Sequence, residues 1–278
     1  MELLSGKQVV VDATVGTGGH AEALLEAGVP SVIGIDRDRQ ALDEASRRLE
    51  RFGPRFRAVE GRFSRVAELV QGASSAQVGG VLYDLGVSSL QLNLADRGFS
   101  YRGDGPLDMR MAPSAGGLTA ADVVNDYPEE RLAKVLFDYG GERHARRIAG
   151  AIVRARHRGR ITTTRELGAI AAGAVPKRRG GAHPARRTFQ AIRIEVNAEL
   201  EELDASLPQV PSLLEPGGRL VVIAYHSLED RTVKRFIQAE EGLAPLTRKP
   251  VRPTAVEVAT NPRARSARLR AAERKVSA

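Results

Sequence analysis

The 278-residue chain has no cysteine and no tryptophan. The first absence excludes disulfides, thiolate metal ligands and a thiol nucleophile. It suits a reducing compartment, so a cytoplasmic location is expected. Aromatic residues are scarce, seven Phe and five Tyr, so a surface that stacks nucleobases has few rings to draw on. Long hydrophobic runs are missing too. The longest near any strand, Leu220 to Tyr225, has six residues, against roughly 18 for a membrane span. No basic segment leads into an apolar stretch at the N-terminus, and no signal peptide is expected. What is present in quantity is positive charge. The net charge is +8, and Gly141 to Arg193 holds 14 Lys/Arg against two acids. Arg248 to Ala278 holds nine against two, so the rest of the chain is net acidic. Two basic regions on an acidic body are the footprint of a polyanion partner. A solvated, Arg-rich surface is the plain alternative.

The hydrophobic fraction, 42%, supports a packed globular core. Strand signals fall at Gln8 to Ala13, Ser31 to Asp36, Phe56 to Glu60 and Val78 to Asp84, with amphipathic stretches such as His20 to Ala27 and Gln40 to Phe52 between them. That alternation predicts βαβ units and a parallel sheet. From Leu118 to about Arg187 the periodicity is helical, with Thr119 to Asn125, Glu129 to Tyr139, Glu142 to Arg156 and Thr164 to Ala174 as short helices. Phe189, Ile192, Val196, Leu200, Leu203 and Leu207 recur at intervals of three and four, which predicts one helix over 189–207. Leu214 to Ser227 returns to the sheet through a Pro-Gly-Gly turn, and Glu229 to Glu240 reads as the next helix. A last strand pair is expected near Ala255 to Val258 and Ser266 to Ala271. The fold class is therefore α/β: a Rossmann-like sheet with an inserted small helical domain.

The first strand runs VVVDATVGTGGH, Val9 to His20. Gly16, Gly18 and Gly19 form a turn where backbone can approach a ligand, ahead of a helix with free N–H groups. The second strand ends at Asp36, where a carboxylate can accept hydrogen bonds from ribose hydroxyls; an ordinary loop acid or helix cap is the bland reading. The turn lacks the third Gly of a dinucleotide fingerprint, and no P-loop Lys follows it. Glu60 or Phe63, after the third strand, is expected to meet the base, and the sequence leaves that choice open. Asp84 ends the fourth strand. The four elements point to S-adenosyl-L-methionine more than to NAD, with an NAD-linked oxidoreductase as one rival and a non-catalytic assembly factor as the other.

Seven longer stretches resemble the ribosomal RNA small-subunit methyltransferase H family, also called MraW. They are DATVGTGGH, IGIDRD, DLGVSSLQL, RGFSYRGDGPLDMRM, HPARRTFQAIRIEVNAELEEL, HSLEDRTVKRF and NPRARSARLRAAER. They occur in order over nearly the whole chain. The resemblance implies a class I methyltransferase domain over residues 1–105 and 206–278, with an inserted helical substrate-recognition domain over 106–205. It implies methylation of the exocyclic 4-amino group of a cytidine in 16S rRNA at the decoding centre, within the small ribosomal subunit. Carried over residue by residue, the S-adenosyl-L-methionine contacts are Gly18, Gly19, His20, Asp36, Phe63, Asp84 and Gln91. One departure is plain: family members carry an H-x-P-V-L-like segment before the first strand, and only Met1 to Lys7 precede it here. A truncated or misassigned start is the expectation, which leaves contacts made by that arm open.

An aromatic amine is a poor nucleophile and a sulfonium methyl a strong electrophile. The enzyme's task is alignment and exclusion of water, helped by an acceptor for the amine proton. Asp84 and His226 are the catalytic candidates. Asp84 either takes that proton or only binds the cofactor. His226 either faces the target base or merely precedes a helix capped by Ser227 in an S-x-x-D box with Asp230. Arg178, Arg179, Arg186 and Arg187 are candidate phosphate contacts that position RNA without reading its bases, and Arg263, Arg265, Arg268 and Arg270 form a second candidate stripe. Tyr101 and Phe99 are candidates for stacking the unstacked base. His144, His157 and His183 are expected to be solvated or to face phosphate. No residue spacing suggests a metal site, and no membrane partner is expected.

Overall fold

The computed structural model describes residues 2–74, 77–176 and 183–276. They divide into two compact units, Met1–Gly86 with Leu200–Ala278, and Val87–Glu199. The first unit carries a seven-stranded sheet in the order β3-β2-β1-β4-β5-β7-β6. Its strands are β1 (Val9–Asp12), β2 (Ser31–Asp36), β3 (Phe56–Glu60), β4 (Val78–Asp84), β5 (Leu214–Ala224), β6 (Leu243–Pro245) and β7 (Arg268–Arg274). The first five pair in parallel, and β7 runs antiparallel to both β5 and β6.

Alternation along the strands explains why the sheet is covered on both faces. Val11, Ile33, Ile35, Val81, Tyr83 and Val222 belong to one buried cluster. Their sequence neighbours Val10, Val32, Leu82 and Val221 belong to another. Successive side chains of a strand point to opposite faces, so a continuous apolar run demands a layer on each side. Helices α1 (Gly19–Glu26) and α2 (Arg39–Leu49) cover one face through Leu24, Leu25, Leu42, Ala45 and Leu49. Helix α3 (Val66–Ala73) covers the other through Val66 and Val70. Each fully buried Leu, Ile or Val contributes roughly 1.5–3 kcal/mol.

The second unit is helical: α4 (Ser89–Asn93), α5 (Ala120–Asp126), α6 (Glu129–Asp138), α7 (Ala145–Arg156), α8 (Thr164–Gly173) and α9 (Arg186–Asn197). Thr119 and Thr163 start α5 and α8 with reciprocal capping boxes to Asp122 and Glu166. The core joins Leu132, Leu136, Ile148, Ile152, Leu167 and Ile192 to the loop residues Phe99, Leu107 and Met109. That packing sets the unit's start at Val87 rather than at residue 106, because the loop is buried with the helices.

The single helix expected over 189–207 is two. Helix α9 stops at Asn197, Ala198 takes a left-handed conformation (φ 50°, ψ 42°), and α10 (Glu199–Ser206) follows. Asn197 is committed to the loop: its amide donates to the Met109 carbonyl at 2.7 Å and its Oδ1 accepts the Met111 N–H at 2.8 Å. Phe189 and Ile192 pack in the helical core, whereas Leu203 and Leu207 pack against the sheet. The apolar spacing runs across the break because both halves need it, and the unit boundary falls at Leu200 rather than at residue 206.

Beyond it lie α11 (Val210–Leu213), α12 (Ser227–Ala239) and α13 (Ala255–Thr260). Helix α13 replaces the strand expected at Ala255 to Val258. Thr254 caps it by accepting the Glu257 N–H, and Val256 stays exposed. The partner of β7 at the sheet edge is the short β6 instead. Among the described residues no helix is long and apolar enough to cross a membrane.

Candidate active site

The chain leaves β1 toward β2 and β3 on one side and returns through β4 and β5 on the other. The carboxyl ends of β1 and β4 therefore flank a topological switch point, where open α/β sheets bind ligands. Asp12, Asp36 and Asp84 end β1, β2 and β4 at this rim.

The turn after β1 is shaped by backbone bonds. The Val15 N–H donates to the Ile35 carbonyl at 2.9 Å, and the Gly18 N–H to the Val15 carbonyl at 2.8 Å. Gly18 sits at φ 86°, and a Cβ there would meet Leu49 Cδ1 at 3.1 Å. Only glycine fits both the dihedral and the close approach of helix α2. Gly18 precedes α1, so the first N–H groups of that helix, from Gly19 and His20 onward, have no carbonyl partner within it. Asp36 braces the turn, its Oδ2 accepting the Gly16 N–H and its Oδ1 the Asp38 N–H, both at 2.9 Å. Burial pushes its carboxyl above the usual range, and the two N–H donors oppose that. Each oxygen keeps a further lone-pair direction for a ribose hydroxyl.

A second group of side chains lies beside this turn. Asp12 is 1% exposed. Its Oδ1 accepts the Thr14 N–H at 3.2 Å, while its buried Oδ2 has no hydrogen-bond partner among the described residues. Burial, the dominant cause, pushes its carboxyl up to about 7; His20 lowers it, and Asp84 and Asp36 raise it further. His20 Nδ1 stands 3.6 Å from Asp84 Oδ2. The Tyr225 hydroxyl donates to Asp84 Oδ1 at 2.9 Å, and the Asp84 N–H donates to Thr14 Oγ1 at 2.7 Å. Burial raises the Asp84 carboxyl, with His20 and Tyr225 opposing. The sequence reading missed Asp12, Thr14 and Tyr225 as site residues, although the acid closing the first strand was its visible sign.

Phe63 packs edge-on against Tyr83, ring centroids 5.7 Å apart. Its carbonyl accepts the Ser206 hydroxyl at 2.7 Å, which leaves the Tyr83 hydroxyl, 2.6 Å from Ser206 Oγ, as the donor of that pair. Gln91 belongs to the second unit. It is buried and closes the capping box of α4, its Oε1 accepting the Ser88 N–H at 3.1 Å.

His226, not Ser227, caps α12. Its Nδ1 accepts the Glu229 N–H at 3.4 Å, and Glu229 Oε2 accepts the N–H groups of Tyr225 and His226 at 2.8 and 3.1 Å. His226 Nε2 lies 3.1 Å from Glu229 Oε1 without hydrogen-bond alignment, and the side chain is 9% exposed. The capping box is shifted by one residue because the imidazole can accept where the serine was expected to.

Arg178 and Arg179 lie outside the described residues. Arg186 and Arg187 are exposed in the first turn of α9 and have no acidic partner among the described residues; Arg187 donates to the Gly141 carbonyl at 3.3 Å. Arg270 departs from the expected phosphate stripe: it is buried and holds Asp230 at 2.6 Å. Phe99 is core, 6% exposed, and so is no stacking platform, whereas the Tyr101 ring stacks on His183 at 4.7 Å.

The donor set suits S-adenosyl-L-methionine. A buried carboxylate with an unmet oxygen and a second acid at the same rim favour a cation carrying a sulfonium and an ammonium, and Asp36 at the Gly turn favours its ribose. Strand order, glycine turn and acidic rim together define a class I methyltransferase. The profile of the MraW methylase family matches residues 2–275, and the chain belongs to that family. A ribosomal RNA small subunit methyltransferase H from Acidothermus cellulolyticus is 50% identical, covering 96% of this chain and 87% of its own length. The protein of the same name from Deinococcus deserti is 51% identical, covering 97% and 88%. A solved rRNA methylase from Streptococcus thermophilus superposes with a TM-score of 0.46 at 12% identity, covering 99% of this chain and 91% of its own.

Proposed function

We propose that the protein methylates the exocyclic 4-amino group of a cytidine in 16S rRNA, at the decoding centre of the small ribosomal subunit. The observation that carries this reading is Asp84 at the carboxyl end of β4, its carboxylate held by the Tyr225 hydroxyl, its N–H bonded to Thr14 Oγ1 and His20 nearby, beside Asp12, whose Oδ2 has no hydrogen-bond partner among the described residues. The methyl donor is S-adenosyl-L-methionine, which supplies an electrophilic methyl carbon on a sulfonium. Gly18, Gly19 and His20 line its turn, Asp36 takes the ribose, and Phe63 packs on the base. Gln91 is a further contact by resemblance to the family. Asp12 offsets the donor's positive charge from a site where few waters can do so.

Asp84 has the chemical role. A carboxylate hydrogen bonded to the amine draws the nitrogen lone pair out of conjugation and takes the departing proton. His226 is assigned the helix cap and the packing against Glu229. Arg186 and Arg187, with Arg178 and Arg179 in the same basic stretch, hold RNA phosphates. The test is nucleoside mass spectrometry on small-subunit rRNA treated with the enzyme and isotopically labelled S-adenosyl-L-methionine. The expected product is labelled 4-N-methylated cytidine. Label on the ring carbon, on a ribose oxygen or on another nucleotide overturns the assignment.

A further inference from the structure

Tyr225 stands directly after β5, and its placement is specified from three sides. Its backbone N–H is held by Glu229 Oε2 at 2.8 Å within the cap of α12. Its ring lies beside the turn after β4: a Cβ on Gly86 would come to 3.7 Å from Tyr225 Cδ2. Its hydroxyl donates to Asp84 Oδ1 at 2.9 Å. The other oxygen, Oδ2, faces His20 at 3.6 Å, a distance too long for a hydrogen bond. One carboxylate oxygen is thus occupied and the other remains available.

We propose that Tyr225 is a positioning residue for methyl transfer, fixing the Asp84 carboxylate so that Oδ2 receives the target amine. The proposal rests on Asp84 acting at that amine. The groups facing Asp84 are His20 on α1, Tyr225 after β5, Glu229 on α12 and Asp12 on β1. Burial and the acid Glu229 push its carboxyl toward the protonated form, while His20 and the Tyr225 hydroxyl oppose them. A donor to the charged form favours ionisation, so the phenol keeps Asp84 an acceptor. Burial and the adjacent Asp84 also push the phenol's own ionisation upward. Tyr225 therefore stays a donor and is no proton carrier.

The test is Tyr225→Phe, which keeps the ring and removes the hydroxyl. Calorimetric affinity for S-adenosyl-L-methionine is expected to stay within about twofold, and KM for the RNA to be unchanged. Turnover at pH 7 falls roughly tenfold, the scale of a lost hydrogen bond to a charged group. The acidic limb of the kcat profile moves to higher pH, so the defect is largest at pH 6 and shrinks toward pH 9. A carbon-13 NMR titration of the Asp84 carboxyl moves the same way without turnover. Wild-type kcat with an unmoved acidic limb, an unmoved Asp84 titration, or a defect confined to cofactor affinity overturns the proposal. Asp84→Asn separates the two claims. If it retains activity, the role of Asp84 at the amine fails. If it is inactive while Tyr225→Phe behaves as wild type, only the role of Tyr225 fails.

Discussion

Replacing Asp12 by Asn should stabilise the cofactor-free protein at alkaline pH and leave it unchanged in acid. The folded carboxyl is pushed from an ordinary 3.8 up to about 7, chiefly by burial. A raised carboxyl means that the folded state holds its proton more tightly than the unfolded chain does. The stability this contributes is fully present below about pH 4 and is lost as the pH rises toward about 7. Roughly three pH units at about 1.4 kcal/mol each amount to about 4 kcal/mol. An Asn side chain is neutral throughout and can still accept the Thr14 N–H. Urea unfolding of both proteins from pH 4 to pH 9 reads the effect of Asp12 together with that of the charges coupled to it, Asp84 and Asp36, because the titrations of groups away from this cluster cancel in the difference. The variant's advantage should grow by about 1.4 kcal/mol per pH unit and level off above about pH 7. A gap that does not change with pH, or a variant less stable at pH 8, refutes the reasoning. The same variant should bind S-adenosyl-L-methionine more weakly, since the anion is useful only when the cation is bound.

Two further outcomes follow from the packing and the charge. Ser206→Ala removes the acceptor of the fully buried Tyr83 hydroxyl and the donor to the Phe63 carbonyl; urea unfolding should show a loss of about 1–3 kcal/mol. Tyr83→Phe keeps the Ser206–Phe63 bond and should lose less, so the reverse order contradicts the assigned donor directions. Arg186→Ala with Arg187→Ala should weaken binding to small-subunit rRNA and flatten the log-affinity against log-salt slope by roughly one to two, with cofactor affinity unchanged; an unchanged slope in a filter-binding titration removes these residues from the interface.

Much of the fold was legible in one dimension because parallel strands buried on both faces must be continuously apolar. Val9 to Asp12, Ser31 to Asp36 and Val78 to Asp84 announced themselves that way. The glycine turn was legible because Gly18 occupies a dihedral that other residues rarely take. What local pattern could not reveal was which body each apolar residue serves. The stripe from Phe189 to Leu207 is periodic throughout, yet it turns at Ala198 because Asn197 is needed by Met109 and Met111. Helix α13 and the cap at His226 escaped for a related reason: strand and cap preferences are weak, and neighbouring groups decide them.

By itself the sequence determined the α/β order, the acids closing the strands and the helical insert, since each is written in spacing or composition, and seven of its stretches carried the resemblance to the family. Only the tertiary structure decided that Asp12 has a buried oxygen without a hydrogen-bond partner among the described residues and that Tyr225 holds Asp84 across 141 positions of chain. It also decided that Arg270 serves Asp230 rather than a phosphate. Burial and long-range hydrogen bonding are properties of a residue's surroundings, and those surroundings exist only once the sheet has brought distant segments to one rim.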